Sequence, residues 1–244
     1  MYSVKLEGRS DAKLRIVWLH GWGTDHNSLI SLAMQFQNQA ENYLVDLPGF
    51  GQTHKPEKAY GSEDYADVVA DFIKSLPSKK TIVIGHSNGG RVIISLISKY
   101  KHIVDGAVLI AGAGIPLRRG IFFKTYSWII RTFSPTVKKI FPFLKNVSLS
   151  SADYRNSSGV MKETFLKIIK EDLREKAKEI EIPVLLIYGD LDRDTPAYFG
   201  EEYNKSIKNS QLNIISGATH WGLILEYRTK VHHIITNFIR KNLC

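Results

Sequence analysis

Short runs of apolar, β-branched residues alternate along the chain with longer amphipathic stretches. The runs have the length of strands, and the stretches have helical periodicity. The predicted strands are Val4–Glu7, Arg15–Leu19, Tyr43–Asp46, Thr81–Ile84, Gly106–Ile110, Val184–Tyr188 and Leu212–Ile215. The predicted helices are Asn27–Gln39, Ser62–Leu76, Gly90–Tyr100, Ala197–Ile207 and Tyr227–Lys241. This alternation predicts an α/β protein with a mostly parallel central sheet flanked by helices.

One interval in this pattern is too long for a simple connection. More than 70 residues separate the predicted strands Gly106–Ile110 and Val184–Tyr188, whereas a crossover between parallel strands needs about a dozen. The excess has its own helical patterning, which includes a helix running to about Ala177. The sequence therefore predicts a helical insertion at 115–180 between two parts of one core, 1–114 and 181–244.

The composition is that of an ordinary globular protein. With 43% hydrophobic and 23% charged residues, the chain is unlike disordered, collagen-like or coiled-coil sequences. Its single cysteine, Cys244, excludes an intrachain disulfide, which fits a reducing compartment. No apolar run reaches the 18 residues or more of a spanning helix, and the first residues lack a stretch of signal-peptide length. We therefore expect a cytoplasmic protein.

Positive charge is concentrated in one segment of the chain. The 33 basic and 24 acidic residues leave a formal charge of +9. Between Pro116 and Ala152 there are seven basic residues and no acidic one. A solvated surface explains such a segment, and weak attraction to an anionic membrane surface is the alternative. No nucleic-acid-binding motif accompanies the charge, so we expect no nucleic-acid partner.

A serine stands where a predicted strand turns directly into a predicted helix. The pentapeptide Gly85-His86-Ser87-Asn88-Gly89 follows an apolar strand and precedes the Gly90–Tyr100 helix, which is the setting of a G-x-S-x-G nucleophile elbow. So sharp a turn strains the backbone at Ser87 and leaves no room for a Cβ at the flanking glycines. The alternative, a phosphate-binding turn, lacks the lysine and hydroxyl of a P-loop.

A second glycine-containing turn, His20-Gly21-Trp22-Gly23, ends the Arg15–Leu19 strand. Its glycines would let the backbone N–H of Trp22 point outward. Together with the N–H of Asn88, this donor would form an oxyanion hole. A tight structural turn is the alternative, and we interpret His20 itself as structural.

These motifs, with three others in the same order, resemble the α/β-hydrolase superfamily. The others are Asp46-Leu47-Pro48-Gly49-Phe50-Gly51, Gly189-Asp190-Leu191-Asp192-Arg193-Asp194-Thr195-Pro196 and Gly217-Ala218-Thr219-His220. The resemblance covers both flanks of the chain and implies the fold, with the insertion as its helical cap or lid. It also implies the catalytic residues Ser87, Asp192 and His220 in the chain order of that fold.

Each of these assignments has competitors in the sequence. Asp190 and Asp194 flank Asp192, and the spacing of the family's acid loop from Gly189 to Pro196 selects Asp192. His232 and His233 lie within a predicted helix, whereas His220 lies in a loop that follows a strand.

The predicted cap combines its basic residues with aromatic ones. The aromatic residues either pack the cap onto the core or line an apolar acyl pocket, for which Phe122 and Trp128 are candidates. We interpret Arg155 first as a residue that caps the following helix and holds the cap on the core, and binding of a substrate carboxylate by Arg155 is the alternative. Trp221, which follows His220, is the fourth candidate for substrate contact.

The chemistry that the resemblance implies is ester or thioester hydrolysis by a serine nucleophile, as in carboxylesterases, on a small molecule with an apolar acyl group. C–C bond hydrolysis of a diketone-type substrate is one alternative. A non-catalytic receptor for a small ligand is the other. No cluster with metal-ligand spacing and no dinucleotide fingerprint is present, so we expect neither a metal nor another cofactor. The sequence does not indicate an oligomeric state.

Overall fold

A computed structural model describes residues 1–8, 12–117 and 157–243 of the chain. Its strands are β1 (Ser3–Leu6), β2 (Leu14–Leu19), β3 (Glu41–Val45), β4 (Lys80–His86), β5 (Gly106–Ile110), β6 (Val184–Gly189) and β7 (Ser210–Ile215). They form one sheet of order β1-β3-β2-β4-β5-β6-β7. Only β1 pairs antiparallel, with β3, and the other neighbours are parallel. The predicted mostly parallel sheet is confirmed.

Seven α-helices, numbered along the described residues, accompany this sheet. They are α1 (Asn27–Ala33), α2 (Ser62–Ser75), α3 (Asn88–Lys99), α4 (Gly159–Ile168), α5 (Arg174–Ala177), α6 (Tyr198–Ser206) and α7 (Arg228–Leu243). The helix predicted from Asn27 ends earlier than expected and continues only as a 3₁₀ turn, Met34–Phe36. None of the helices in the described parts of the chain is long and apolar enough to cross a membrane.

The helices cover both faces of the sheet. Successive residues of a strand point to opposite faces, so Val17 and Leu19 of β2 lie in one hydrophobic core and Ile16 and Trp18 lie in the other. The first core includes residues of α2, α3, α5 and α6. The second includes residues of α1 and α7. Because both faces are covered, the central strands are continuously apolar, as the sequence indicated.

The insertion predicted at 115–180 is described only at its two ends, so the domain division stays a prediction. Its C-terminal end contains two short helices, α4 and α5, where the sequence predicted one helix running to about Ala177. The break between them is fixed by the core, because the N–H of the buried Leu173 donates to the carbonyl of Gly114 over 2.9 Å.

Helix α4 is anchored on the core near the carboxyl edge of the sheet. The hydroxyl of the buried Thr164 accepts a hydrogen bond from the Tyr60 N–H over 3.0 Å. The buried Arg91 of α3 donates to the carbonyl of Ile168. These contacts hold α4 against α3 and against the loop between β3 and α2.

Candidate active site

Ser87 occupies a strained turn between β4 and α3. Its φ of 53° and ψ of −112° lie outside the regions that L-residues favour. Backbone hydrogen bonds hold the turn, since the Ser87 N–H donates to Ile110 over 3.0 Å and the Ala113 N–H donates to the Ser87 carbonyl over 2.9 Å. The strain is therefore maintained by β5 and the residues after it, as expected where a strained residue serves a function.

The glycines around Ser87 are required by close backbone contacts. A Cβ on Gly85 would lie 2.5 Å from the carbonyl carbon of Gly89. A Cβ on Gly89 would lie 2.2 Å from the carbonyl oxygen of Leu19, at the end of β2. The start of α3 can thus pack against β4 and β2 only if positions 85 and 89 lack a side chain.

Asp192 and His220, from the loops after β6 and β7, meet in a buried hydrogen bond. Asp192 Oδ2 lies 2.8 Å from His220 Nδ1. The other carboxylate oxygen accepts the N–H groups of Asp194 and Thr195 over 2.8 and 2.9 Å. Burial by itself would raise the pKa of Asp192, but these bonds and the nearby His220 outweigh burial and hold the pKa below its ordinary value. Asp192 is therefore an ionised acceptor for the His220 ring N–H.

The competing acids and histidines lie in other environments. Asp190 is exposed and accepts hydrogen bonds from the Ser216 hydroxyl over 3.0 Å and the Gly217 N–H over 2.7 Å. The side chain of Asp194 is also exposed. On α7, the ring of His232 packs against the ring of Phe36 with centroids 4.6 Å apart. The structure thus brings Asp192, and neither neighbouring aspartate, into hydrogen-bond contact with His220.

Ser87 lies beside this pair without a direct bond to it. In the described part of the chain, Ser87 Oγ makes no hydrogen bond to the His220 ring. The preceding residue, His86, has its ring centroid 4.6 Å from that of His220. Such hydrogen bonds are often long or misaligned before a substrate is bound.

The turn after β2 also lies next to Ser87. A Cβ on Gly21 would be 3.4 Å from the Ser87 Cβ. Among the described residues, the N–H groups of Trp22 and Asn88 donate to no protein acceptor. The buried His20 fixes the turn, because its Nδ1 bonds the Gly21 carbonyl over 2.7 Å and its Nε2 accepts the Leu47 N–H over 3.0 Å.

Of the residues predicted to contact substrate, the structure describes only Trp221. Its side chain is 41% exposed, and its ring centroid lies 5.8 Å from that of His220. Phe122, Trp128 and Arg155 lie outside the described residues. Apolar side chains that the sequence did not single out lie near the turn after β2, since the Trp22 ring lies 4.9 Å from Phe50 and 5.2 Å from Phe165 of α4.

Thr195 is a further polar residue that the sequence did not single out. Its hydroxyl donates to Asp192 Oδ2 over 2.9 Å and lies 3.2 Å from His220 Nδ1. The only signal for it in the sequence is a hydroxyl residue within the acid loop, directly before Pro196.

The folding of the loops also groups possible metal ligands that are far apart in sequence. Ligand atoms of Asp192, Asp194 and His220 lie within 4.8 Å of one another. Spacing along the chain did not predict this group. In it, the His220 Nδ1 is hydrogen bonded to Asp192, and a cation would have to displace the ring proton from that nitrogen. The arrangement is therefore that of an acid–base pair.

Comparison with known proteins identifies the family. The family model described as alpha/beta hydrolase fold matches residues 15–140, just over half of the chain. The AB hydrolase superfamily protein YisY of Bacillus subtilis (strain 168) is 26% identical over 246 aligned positions, covering 91% of this chain and 90% of its own. The pimeloyl-[acyl-carrier protein] methyl ester esterase of Wigglesworthia glossinidia brevipalpis is 28% identical over 257 positions, covering 93% and 94%.

A solved structure agrees with these sequence matches at the level of the fold. The esterase from Exiguobacterium antarcticum superposes with a TM-score of 0.75 at 18% identity, covering 98% of this chain and 95% of its own. With its seven-stranded sheet, the serine turn after β4 and the Asp192–His220 pair after β6 and β7, this chain belongs to the α/β-hydrolase family.

Proposed function

We propose that this α/β hydrolase is a cofactor-independent serine hydrolase that cleaves a carboxylic ester or thioester through an acyl-enzyme. The observation that carries the proposal is the buried 2.8 Å hydrogen bond between Asp192 and His220, next to the strained turn at Ser87. A serine hydroxyl is a weak nucleophile and needs an adjacent base. His220 is the proposed base, because its Nδ1 is bonded to Asp192 and its ring lies against that of His86, the residue before Ser87.

The reaction starts when Ser87 Oγ attacks the carbonyl carbon of the substrate while His220 Nε2 takes the hydroxyl proton. The carbonyl oxygen becomes an oxyanion, for which the N–H groups of Trp22 and Asn88 are the proposed donors. His220 then gives the proton to the leaving alcohol or thiol as the bond to the acyl carbon breaks. A water molecule, deprotonated by His220, hydrolyses the acyl-enzyme and restores the Ser87 hydroxyl.

Asp192 has two tasks in this cycle. As an acceptor of the Nδ1–H it holds the tautomer in which Nε2 is free to take the serine proton, and its negative charge stabilises the imidazolium. Its own bonds to the N–H groups of Asp194 and Thr195 keep the carboxylate ionised and oriented.

An apolar acyl group fits the side chains around the turn after β2. The rings of Trp22, Phe50 and Phe165 are in contact there, and the exposed Trp221 lies beside His220. Two similar proteins are named as esterases, the one from Wigglesworthia glossinidia brevipalpis and the one from Exiguobacterium antarcticum. These likenesses support an ester substrate here, with a thioester as its closest chemical relative.

C–C bond hydrolysis is a second candidate function. Trp221, directly after His220, resembles a feature of the branch of the family that cleaves diketone-type substrates. A non-catalytic ligand receptor is a third, which the presence of Ser87, Asp192 and His220 together disfavours. The association of the basic segment with anionic membranes stays a prediction, since all seven of its basic residues lie outside the described residues.

The proposal is tested by a substrate panel together with covalent labelling. p-Nitrophenyl esters from acetate to palmitate, acyl-CoA thioesters and a diketone are offered to the wild type and to Ser87→Ala, and both are treated with a fluorophosphonate probe. We expect ester or thioester turnover and labelling in the wild type alone. Turnover confined to the diketone would support the C–C alternative, and neither turnover nor labelling would support the receptor.

Asp192→Asn is expected to lower kcat about 10⁴-fold, the loss typical when an amide favours the wrong tautomer of the base. Asp190→Asn and Asp194→Asn should leave kcat nearly unchanged, because neither side chain hydrogen-bonds to His220 in the described residues. Ester hydrolysis by the three purified variants checks this order. A large loss in Asp190→Asn or Asp194→Asn, with Asp192→Asn active, would refute the assignment of the acid.

A further inference from the structure

One buried histidine beside Ser87 has no part in the proton transfers described so far. His86, the last residue of β4, is 1% exposed. Its Nε2 lies 3.1 Å from the backbone carbonyl oxygen of His220. A carbonyl only accepts hydrogen bonds, so this nitrogen carries the ring proton and His86 is the donor.

The same ring contacts both loops that flank Ser87. Its centroid lies 4.6 Å from that of His220 and 5.1 Å from that of Trp221. On the other loop, a Cβ on Gly21 would lie 3.3 Å from His86 Nδ1. One side chain thus bridges the turn that carries the proposed oxyanion donor and the loop that carries the proposed base.

We propose that His86 is a positioning residue that aligns the His220 imidazole with Ser87, through its hydrogen bond to the His220 carbonyl and its ring contact. This inference rests on the proposed function. Asp192 fixes one nitrogen of His220 but leaves the ring free to pivot about that bond. The His86 bond fixes the backbone from which the ring extends, so two separate points determine where His220 Nε2 lies.

His86 also stays neutral while His220 gains and loses its proton. Its Nδ1 is buried and has no hydrogen-bond partner among the described residues, so a second ring proton would find no acceptor. The titratable groups that face it are His220, Asp192 and His20. Burial, with a smaller contribution from His220, lowers the pKa of His86 to about 3. His86 therefore takes no proton in the proposed cycle, and its role is confined to the hydrogen bond to the His220 carbonyl and the ring contact.

The test compares variants at position 86 that differ in the donor. His86→Phe and His86→Met fill the space without donating, and His86→Gln retains an N–H donor. We expect kcat for a soluble p-nitrophenyl ester to fall about 10²-fold in His86→Phe and His86→Met with KM nearly unchanged, the loss that small misplacements cause. His86→Gln should recover most of it. Because two variants lack the donor, the comparison can still be made with one of them if the other does not fold.

An NMR signal distinguishes a loss of His220 positioning from a general loss of stability. The ¹H NMR resonance of the proton between His220 Nδ1 and Asp192 should stay sharp in the wild type and in His86→Gln, and should broaden in the donor-less variants. Ser95→Ala is the matched control, because it removes a buried 2.7 Å bond to the Ser62 hydroxyl away from the site. It should lower Tm without changing kcat or the resonance.

Two failures are distinguishable in this design. If the wild type neither turns over esters nor is labelled, the proposed function fails and the inference fails with it. If the wild type is active and Ser87→Ala is not, but the donor-less variants keep kcat within twofold, the proposed function stands and the role of His86 is refuted. A loss in His86→Gln as large as in His86→Phe would also refute it.

Discussion

Ser87→Ala is expected to lower kcat about 10⁶-fold, the loss found when the nucleophile of a comparable triad is removed. Alanine keeps the Cβ and the backbone strain of the serine at a φ of 53°. The Ser87 hydroxyl makes no hydrogen bond within the described residues, so its removal should leave the free energy of unfolding nearly unchanged. The expected result is an inactive protein with the wild-type Tm.

Steady-state kinetics and thermal unfolding of the same samples check this prediction. Ser95→Ala is a suitable control, since it also removes a serine hydroxyl from α3 but breaks a buried hydrogen bond to Ser62. Ser95→Ala should lower the free energy of unfolding by about 1 kcal/mol and leave kcat unchanged. Ser87→Ala with more than about a tenth of the wild-type activity would rule out Ser87 as the nucleophile.

His220→Ala should be nearly as damaging, with a loss in kcat of about 10⁵- to 10⁶-fold, because serine and histidine act as one unit. The double variant of Ser87→Ala and His220→Ala should have a kcat little lower than that of either single variant. Unlike Ser87→Ala, the single change His220→Ala should also reduce stability, since it removes the hydrogen bond from the ring to the buried Asp192.

A double-mutant cycle on kcat measures this coupling. His233→Ala is the control, since His233 is exposed on α7 and its loss should leave kcat unchanged. Losses that multiplied in the double variant would mean that the two residues act independently and would contradict a shared proton transfer.

The local features of this protein could be predicted from its sequence. Strand positions followed from β-branched runs, and all seven strands begin and end within two residues of their predicted bounds. In the central strands, burial on both faces leaves a continuous apolar signal. The turn at Ser87 was also predictable, since the need for glycine at positions 85 and 89 is a steric effect within a few residues and the adjoining strand.

The insertion was less predictable at its described end. Amphipathic patterning indicated a single helix to about Ala177, whereas α4 and α5 are separated by a turn bonded to Gly114. The helical periodicity of residues near Leu173 gives no information about the Gly114 carbonyl, which lies nearly 60 residues earlier in the chain. In the folded protein this carbonyl accepts the Leu173 N–H and separates the two helices.

The sequence by itself determined the order of strands and helices, the strained serine turn and a short list of candidate acids and bases. Only the tertiary structure decided which aspartate bonds His220 and placed the buried rings of His20 and His86 against the loops around Ser87. The physical reason is one of range. Steric and periodic signals act over a few residues, whereas the contacts of Asp192, His220 and His86 join loops that meet only because parallel strands end at the same edge of the sheet.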